Sequence, residues 1–287
     1  MSPEIKRRRP RKRKWRRFRE GEVARGTYIV PNLFTTANLF SGFFGIVSAI
    51  DAHFDRAAIA ILVSCVFDIL DGKVARFTRA TSRFGVEYDS LADLVAFGVT
   101  PALLMYLWAL RPFGRLGWLA AFVFVACGAL RLARFNVQTE TASKKYFVGL
   151  PIPGAASVVA TTLLFIEVLE ITLPPSGGVL LLVATYILGF LMVSTVPYNS
   201  FKDFEIVKAK PITVLFVAVL GLTIVAVNPG LMLFLMLMVY LVSGPVRYVI
   251  WRLKGKPGTP VVEPPKSVEA AEEGPGQPAP AEEQSQT

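Results

Sequence analysis

The stretch Asp68–Asp93, DILDGKVARFTRATSRFGVEYDSLAD, decides how the rest of this chain is interpreted. It carries four aspartates, Asp68, Asp71, Asp89 and Asp93, and apolar runs of membrane-spanning length flank it on both sides. Ionised groups within or at the edge of hydrocarbon are energetically costly, so their presence in such a setting indicates a function. The regular spacing of the four carboxylates makes a divalent-metal site our working hypothesis.

The composition predicts an all-α fold, a polytopic membrane helical bundle. Of the 287 residues, 53% are hydrophobic, the mean hydropathy is +0.50, and the excess falls in long runs, unlike a set of soluble domains. We expect a transmembrane catalytic domain over residues 29–252, preceded by a basic arm, 1–28, and followed by a disordered tail, 253–287. Eight spans are predicted, at about 29–50, 56–77, 89–110, 114–135, 153–173, 178–197, 211–228 and 230–251.

The two ends of the chain differ in charge. Twelve Lys and Arg residues lie between Lys6 and Arg25, whereas the last 25 residues hold six Glu and one Lys. Nucleic-acid binding and nuclear localisation use similar basic clusters. A polybasic segment directly before a transmembrane helix is more simply a tether to anionic lipid, worth about 1 kcal/mol per cation. We therefore expect a membrane partner and no nucleic acid.

Loop charges predict the orientation in the membrane. Every second connection is basic, including the segments 76–88, 131–152 and 198–210 and the beginning of the tail. Positively charged loops stay on the cytoplasmic side. Both termini and the acidic stretch are therefore expected on the cytoplasmic face of the cell (inner) membrane.

The acidic stretch has the spacing of a site built by two helices. Asp68 and Asp71 are three residues apart and Asp89 and Asp93 four apart, so each pair shares a helical face. A connector over 77–88 would let the two helices lie side by side and bring all four carboxylates into one pocket. Close carboxylates repel one another unless cations intervene, and an all-oxygen donor set suits Mg²⁺, Mn²⁺ or Ca²⁺ rather than zinc.

Neighbouring residues suit a phosphate-containing ligand. Gly72 and Gly85 permit close approach of phosphate or backbone, and Arg76 can neutralise phosphate oxygens. Asn32 and Thr35, near the cytoplasmic end of the first span, are candidate ligand-binding residues. The alternative is a pair of helix ends whose acids are solvated or paired with the neighbouring cations Lys73, Arg76, Arg79 and Arg83.

The complete pattern resembles the signature of the CDP-alcohol phosphatidyltransferases. It reads Asp68-x2-Asp71-Gly72-x2-Ala75-Arg76-x8-Gly85-x3-Asp89-x3-Asp93. The resemblance implies a dimeric enzyme with a six-helix membrane core, in which an alcohol attacks the β-phosphorus of CDP-diacylglycerol and CMP leaves. It also implies that the four aspartates hold two divalent cations, Mg²⁺ or Mn²⁺, and that Asp93 is the general base. The CDP-diacylglycerol pocket would comprise Asn32, Thr35, Gly72, Ala75, Arg76 and Gly85.

The wider chain is similar to the branch of this family that uses L-serine and forms phosphatidylserine. The similarity lies in Pro31-Asn32-x2-Thr35-x2-Asn38, in the Arg131–Asn136 segment RLARFN, and in the Phe147–Pro153 segment FVGLPIP. Arg131 and Arg134 share a helical face and suit an anion such as the serine carboxylate. We expect these arginines, together with Asn136 for the ammonium, to bind the acceptor, although positively charged anchoring at the cytoplasmic side would use the same arginines.

Other functions fit the sequence less well. A glycerol 3-phosphate, inositol or inositol phosphate acceptor would keep the reaction type and use the same cations. An ion-coupled transporter would place polar or broken helices near the middle of the bilayer, often in repeated halves. The acids here cluster at one face and no internal repeat is evident, so a transferase is the favoured prediction over a transporter or a non-catalytic scaffold.

Overall fold

The computed structural model describes residues 29–78, 82–139, 147–171, 174–198, 219–220, 223 and 228–253. These residues form a helical bundle with one short strand pair. In chain order the elements are α1 (Ile29–Ile50), α2 (Phe54–Thr78), α3 (Arg83–Asp93), a first π-helical segment (Leu94–Val99), α4 (Thr100–Met105), a second π-helical segment (Tyr106–Leu110), a 3₁₀ turn (Arg111–Phe113), α5 (Arg115–Thr139), β1 (Phe147–Val148), α6 (Ile152–Val168), α7 (Pro175–Val193), β2 (Pro197–Tyr198) and α8 (Pro229–Leu253).

The helices have the length and apolar character of a membrane bundle. Within the described residues, four helical stretches are long and apolar enough to cross a membrane, namely Asn32–Ile50, Phe84–Phe113, Arg115–Val137 and Pro229–Ile250. Ile152–Val168 and Gly177–Val193 are shorter apolar helices. The predicted class, a helical membrane protein, is therefore confirmed, while the count of eight spans stays a prediction. Most of the seventh predicted span, the basic arm and nearly all of the tail lie outside the described residues.

Small residues let α1 pack closely against the long helix that begins with α3. A Cβ atom at Gly42 would lie 2.7 Å from Ala96 Cα, and one at Gly45 would lie 2.8 Å from Thr100 Cγ2. The Thr100 hydroxyl donates to the Gly42 carbonyl at 2.9 Å. Such contacts are typical of membrane helices, whose backbones approach where side chains are small. They lay the polar face of α1 beside the acidic stretch.

The prediction that residues 77–88 form a connector between two helices is wrong in its bounds. Residues 77 and 78 end α2, and α3 already begins at Arg83, so Gly85 and Asp89 are helical. The reason is an N-cap: Ser82 has extended backbone angles, and its hydroxyl accepts from Gly85 N at 2.9 Å. Serine is favoured at this position because it satisfies an otherwise unpaired amide of the first turn.

The strand pair fastens the last helix to the bundle. Phe147 pairs with Tyr198 and Val148 with Pro197, in antiparallel register. The Tyr198 side chain is buried, and its hydroxyl donates to Leu241 O of α8 at 3.2 Å. Burial raises the pKa of the Tyr198 phenol, so the group stays neutral and remains a donor. Helix α8 also packs against α6, so the strand pair and α6 together hold it in the bundle.

Candidate active site

Three carboxylates from two helices converge at one point. Helix α2 supplies Asp68, and α3 supplies Asp89 and Asp93 one turn apart. One carboxylate oxygen from each lies within 4.8 Å of the other two. Asp93 is the most enclosed of the three, with 8% of its surface exposed. The structure thus brings together three of the four predicted metal ligands.

Asp71, the fourth predicted ligand, lies beside this trio with a partner of its own. Its side chain is 6% exposed, and Oδ2 accepts a hydrogen bond from the Thr35 hydroxyl of α1. It remains within electrostatic range of Asp68 and Asp89. Thr35, predicted to bind substrate, therefore orients an acidic side chain here, and the ligand role of Asp71 stays a prediction.

Asn38 is a site residue that the sequence reasoning did not single out. Its side chain is completely buried, and Nδ2 donates to Asp93 Oδ1 at 2.9 Å. The signal was available, because Asn32, Thr35 and Asn38 follow one another at three-residue steps and so share one face of α1. That face supplies a hydroxyl to Asp71 and an amide to Asp93.

The donor set fits a hard divalent cation. Asp68, Asp89 and Asp93 offer only oxygen atoms, as Mg²⁺ and Mn²⁺ prefer. Carboxylates gathered this closely in a partly buried place repel one another, and a cation between them removes that repulsion. This site is therefore an acidic cluster that could hold a divalent cation.

The structure describes most of the residues predicted to form the nucleotide pocket, on the three helices α1, α2 and α3. Gly72 and Ala75 are on α2, within two turns of Asp68. A Cβ atom at Gly85 would lie 3.1 Å from Ser82 Oγ and 3.4 Å from Asn32 Oδ1, so α1 and α3 meet closely here. Arg76 belongs to α2, and its side chain lies outside the described part of the chain.

The three polar residues near the end of α5 have three different surroundings. Arg131 lies within electrostatic range of Asp93. Arg134 Nη1 donates to Val193 O at the end of α7, at 3.3 Å. Asn136 Nδ2 donates to Ser90 Oγ at 2.9 Å. Ser90 lies between Asp89 and Asp93 in the sequence. The structure therefore leaves Arg131 within electrostatic range of Asp93 and gives Arg134 and Asn136 partners within the protein.

A further missed contact fixes α3 against α1. Thr36 Oγ1 and Tyr88 OH are 3.0 Å apart, and the ring of Tyr88 stacks on that of Phe84 at 5.9 Å between centroids. The Ser90 and Tyr88 hydroxyls thus tie the acid-bearing turns of α3 to two neighbouring helices. Nothing in the acidic motif alone indicates these two residues.

Comparison with known proteins agrees with this geometry. The sequence profile of the CDP-alcohol phosphatidyltransferases matches residues 28–197. The chain belongs to this family. A CDP-alcohol phosphatidyltransferase from Helicobacter pylori, named CDP-diacylglycerol–serine O-phosphatidyltransferase, is 40% identical over 228 residues, which are 79% of this chain and 94% of that protein.

Two further members of the CDP-alcohol phosphatidyltransferase family cover less of the chain. The Bacillus subtilis protein of the same name is 35% identical over 173 residues, 60% of this chain and 91% of its own length. An archaetidylserine synthase from Methanothermobacter thermautotrophicus is 42% identical over 134 residues, 46% of this chain and 56% of its own.

Proposed function

We propose that this protein transfers the phosphatidyl group of CDP-diacylglycerol to the hydroxyl of L-serine, giving phosphatidylserine and CMP. The observation that carries the reaction type is the convergence of Asp68, Asp89 and Asp93 within 4.8 Å in a chain of this family. The serine acceptor is supported by the name of the Helicobacter pylori relative, 94% of which aligns with this chain.

Asp93 and Asn38 have different roles in this reaction. Asp93 takes the proton from the serine hydroxyl, whose oxygen forms a bond to the β-phosphorus. The bond between that phosphorus and the bridging oxygen breaks, and CMP leaves with the oxygen. Asn38 holds Asp93 Oδ1 at 2.9 Å, which orients the base toward the incoming hydroxyl and restricts its rotation. General-base assistance of this kind contributes about 10²–10⁴ in rate.

The acidic residues also provide the place for two divalent cations, Mg²⁺ or Mn²⁺. Asp68, Asp71, Asp89 and Asp93 would hold them, with Asp71 oriented by Thr35. The bound cations would neutralise charge on the diphosphate and on the departing CMP. Without them, the carboxylates would repel an anionic substrate, so the chain's own residues require the metal for binding as well as for turnover.

Two groups of residues are proposed to bind the substrates. Asn32, Gly72, Ala75, Arg76 and Gly85 would form the pocket for the CDP moiety, with Thr35 acting through Asp71. Arg131, Arg134 and Asn136 form the acceptor side at the end of α5. Of these, Arg131 has the strongest support, because it lies within electrostatic range of Asp93.

The cellular arrangement follows from the charges of the sequence. We place the enzyme in the cell (inner) membrane, with both termini and the active site on the cytoplasmic side. The resemblance to the family, not the charges, is the reason for proposing a homodimer with a six-helix catalytic core. The basic arm, 1–28, would bind anionic lipid, and nucleic acid is not a partner. When the continuous run Arg83–Leu110 is counted as one, the described residues between 29 and 193 form six long helical segments, which supports a core of that size.

A panel of acceptors tests this function. Purified protein is given CDP-diacylglycerol with Mn²⁺ or Mg²⁺ and, separately, labelled serine, glycerol 3-phosphate or inositol. We expect CMP release and labelled phosphatidylserine with serine alone. Product only with glycerol 3-phosphate or inositol would overturn the serine assignment and keep the reaction type, whereas absence of CMP release with all three would overturn both.

A further inference from the structure

Two buried side-chain atoms lack a hydrogen-bond partner in the part of the chain that the structure describes. They are Asn38 Oδ1, an acceptor, and Arg131 Nε, a donor. Leaving such a group unpaired in a buried position is unfavourable. Both residues belong to the surroundings of Asp93: Asn38 donates to its carboxylate, and Arg131 lies within electrostatic range of it.

The orientation of the Asn38 amide is fixed by chemistry. An ionised carboxylate only accepts hydrogen bonds, so the NH₂ group of Asn38 must face Asp93 and the carbonyl oxygen must face elsewhere. Because Nδ2 is 2.9 Å from Asp93 Oδ1, covalent geometry keeps Asn38 Oδ1 within about 5 Å of the same carboxylate oxygen. An unpaired acceptor therefore lies beside the proposed base.

Arg131, on α5, carries an unpaired donor, whereas Asn38, on α1, carries an unpaired acceptor. Its Nε is buried and without a partner among the described residues, and the guanidinium is near Tyr240 of α8 as well as Asp93. Arg134 cannot readily replace it, since Arg134 Nη1 already donates to Val193 O. The Arg131 cation therefore lies within electrostatic range of both Asp93 and Tyr240 of α8.

We infer that Asn38 and Arg131 form a subsite for an α-amino-acid zwitterion: Asn38 Oδ1 accepts from the ammonium group, and Arg131 donates to the carboxylate. The ammonium and hydroxyl groups of serine are separated by two carbons, about 3–4 Å, which matches an acceptor within about 5 Å of the base. This inference rests on the proposed function and refines it. It moves ammonium recognition from Asn136, which is bonded to Ser90, to Asn38.

The first experiment uses the unmodified enzyme and unreactive competitors. L-Alanine retains the ammonium and carboxylate of serine but has no hydroxyl, while propionate and ethylamine each retain one charged group. We expect L-alanine to compete with serine, and propionate and ethylamine to have inhibition constants about tenfold higher or more, because each lacks one charge-assisted hydrogen bond. Propionate as effective as L-alanine would overturn the Asn38 contact, and ethylamine as effective would overturn the Arg131 contact.

The second experiment assigns each contact to its residue. Serine is compared as acceptor with 3-hydroxypropionate, which lacks the ammonium, and with ethanolamine, which lacks the carboxylate. Asn38→Leu is expected to lower the serine to 3-hydroxypropionate ratio of kcat/KM by about tenfold or more and to leave the serine to ethanolamine ratio within threefold. Arg131→Gln should do the reverse. Asn38→Leu also loses the hydrogen bond to Asp93, which lowers turnover for every acceptor. This loss is common to all acceptors and therefore cancels in each ratio of kcat/KM.

Ser41→Ala is the matched control. Ser41 is a buried polar residue one turn from Asn38 on α1, and its hydroxyl donates to Ala60 O at 2.9 Å, away from the carboxylates. We expect both ratios to be unchanged in this variant. If the enzyme uses serine but neither Asn38→Leu nor Arg131→Gln changes its ratio, the subsite is refuted while the proposed function stands. If Asn38→Leu is inactive, the competitor series on the unmodified enzyme decides.

Discussion

Two regions look like parts of a site in the sequence: the acidic residues of α2 and α3, and the polar residues at the end of α5. The structure organises these two regions differently. At the acidic end, carboxylates from two helices converge within 4.8 Å. At the end of α5, Arg131, Arg134 and Asn136 diverge toward a carboxylate, a backbone carbonyl and a serine hydroxyl. Similar helical spacing therefore brings Asp89 and Asp93 together but gives Arg131 and Arg134 different partners, so the neighbouring helices decide the outcome.

The difference lies in what each region does with its charges. The acidic end gathers like charges and needs a cation from outside the chain. The end of α5 instead uses two of its three polar groups for contacts within the protein and leaves Arg131 facing the site. We therefore expect substitutions to be most damaging at the acidic end and graded at the end of α5.

The largest effect is expected at Asp93. Asp93→Asn removes the base while keeping the shape of the side chain, so turnover should fall by about 10³-fold. CMP release in the presence of serine and CDP-diacylglycerol measures it. Thermal unfolding of the detergent-solubilised protein should stay within a few degrees of the unmodified protein. Turnover above a tenth of the original would remove Asp93 as the base.

An intermediate effect is expected from Thr35→Val. Loss of the hydroxyl that orients Asp71 should raise the Mg²⁺ or Mn²⁺ concentration needed for half-maximal activity by about 10–100-fold, as substitutions next to metal ligands do. Thr36→Val is the control, because the Thr36 hydroxyl bonds to Asn32 O at 2.7 Å and to Tyr88 OH. Equal shifts in the two variants would show that Asp71 has no special part in metal binding.

The smallest effect is expected for the bond between Asn136 and Ser90. A double-mutant cycle of Asn136→Ala and Ser90→Ala, read from unfolding free energies, should give a coupling of about 0.6 kcal/mol, the usual value between membrane helices. Pairing Asn136→Ala with Ser48→Ala, a buried serine at the far end of α1, should be additive. Additivity in the first cycle would mean that Asn136 does not fasten α5 to α3.

The sequence predicted the class of the fold and the region of the site because both depend on strong local patterns. Long apolar runs have few alternatives to membrane helices, and the family profile independently matches the region containing the acidic motif. The start of α3 was missed because a single N-cap, Ser82, ends the connector early. Capping by one serine is easily overlooked beside a stretch rich in charge.

The site contacts depended on how the helices pack, which no local pattern reveals. In the sequence, Asn38 was named only as part of the similarity Pro31-Asn32-x2-Thr35-x2-Asn38, and its hydrogen bond to Asp93 depends on how α1 packs against α3. Arg131 and Arg134 are three residues apart, and helical spacing placed them together, yet only the positions of α7 and α3 separate their partners. Which polar residue faces a site and which fastens two helices is decided by the neighbouring helices.

The first π-helical segment, Leu94–Val99, has a consequence for how the length of this helix can vary. It lies between Asp93 and Thr100, whose hydroxyl is fixed on Gly42 O, and a π turn accommodates more residues than an α-helical turn. Deleting one residue from this run would let it close into an α-helix in which Asp93 and Thr100 keep their relative orientation. A second deletion would rotate Asp93 by about 100° relative to Thr100. A hydropathy profile would not distinguish the two deletions, although only the second would turn the base away from Asn38.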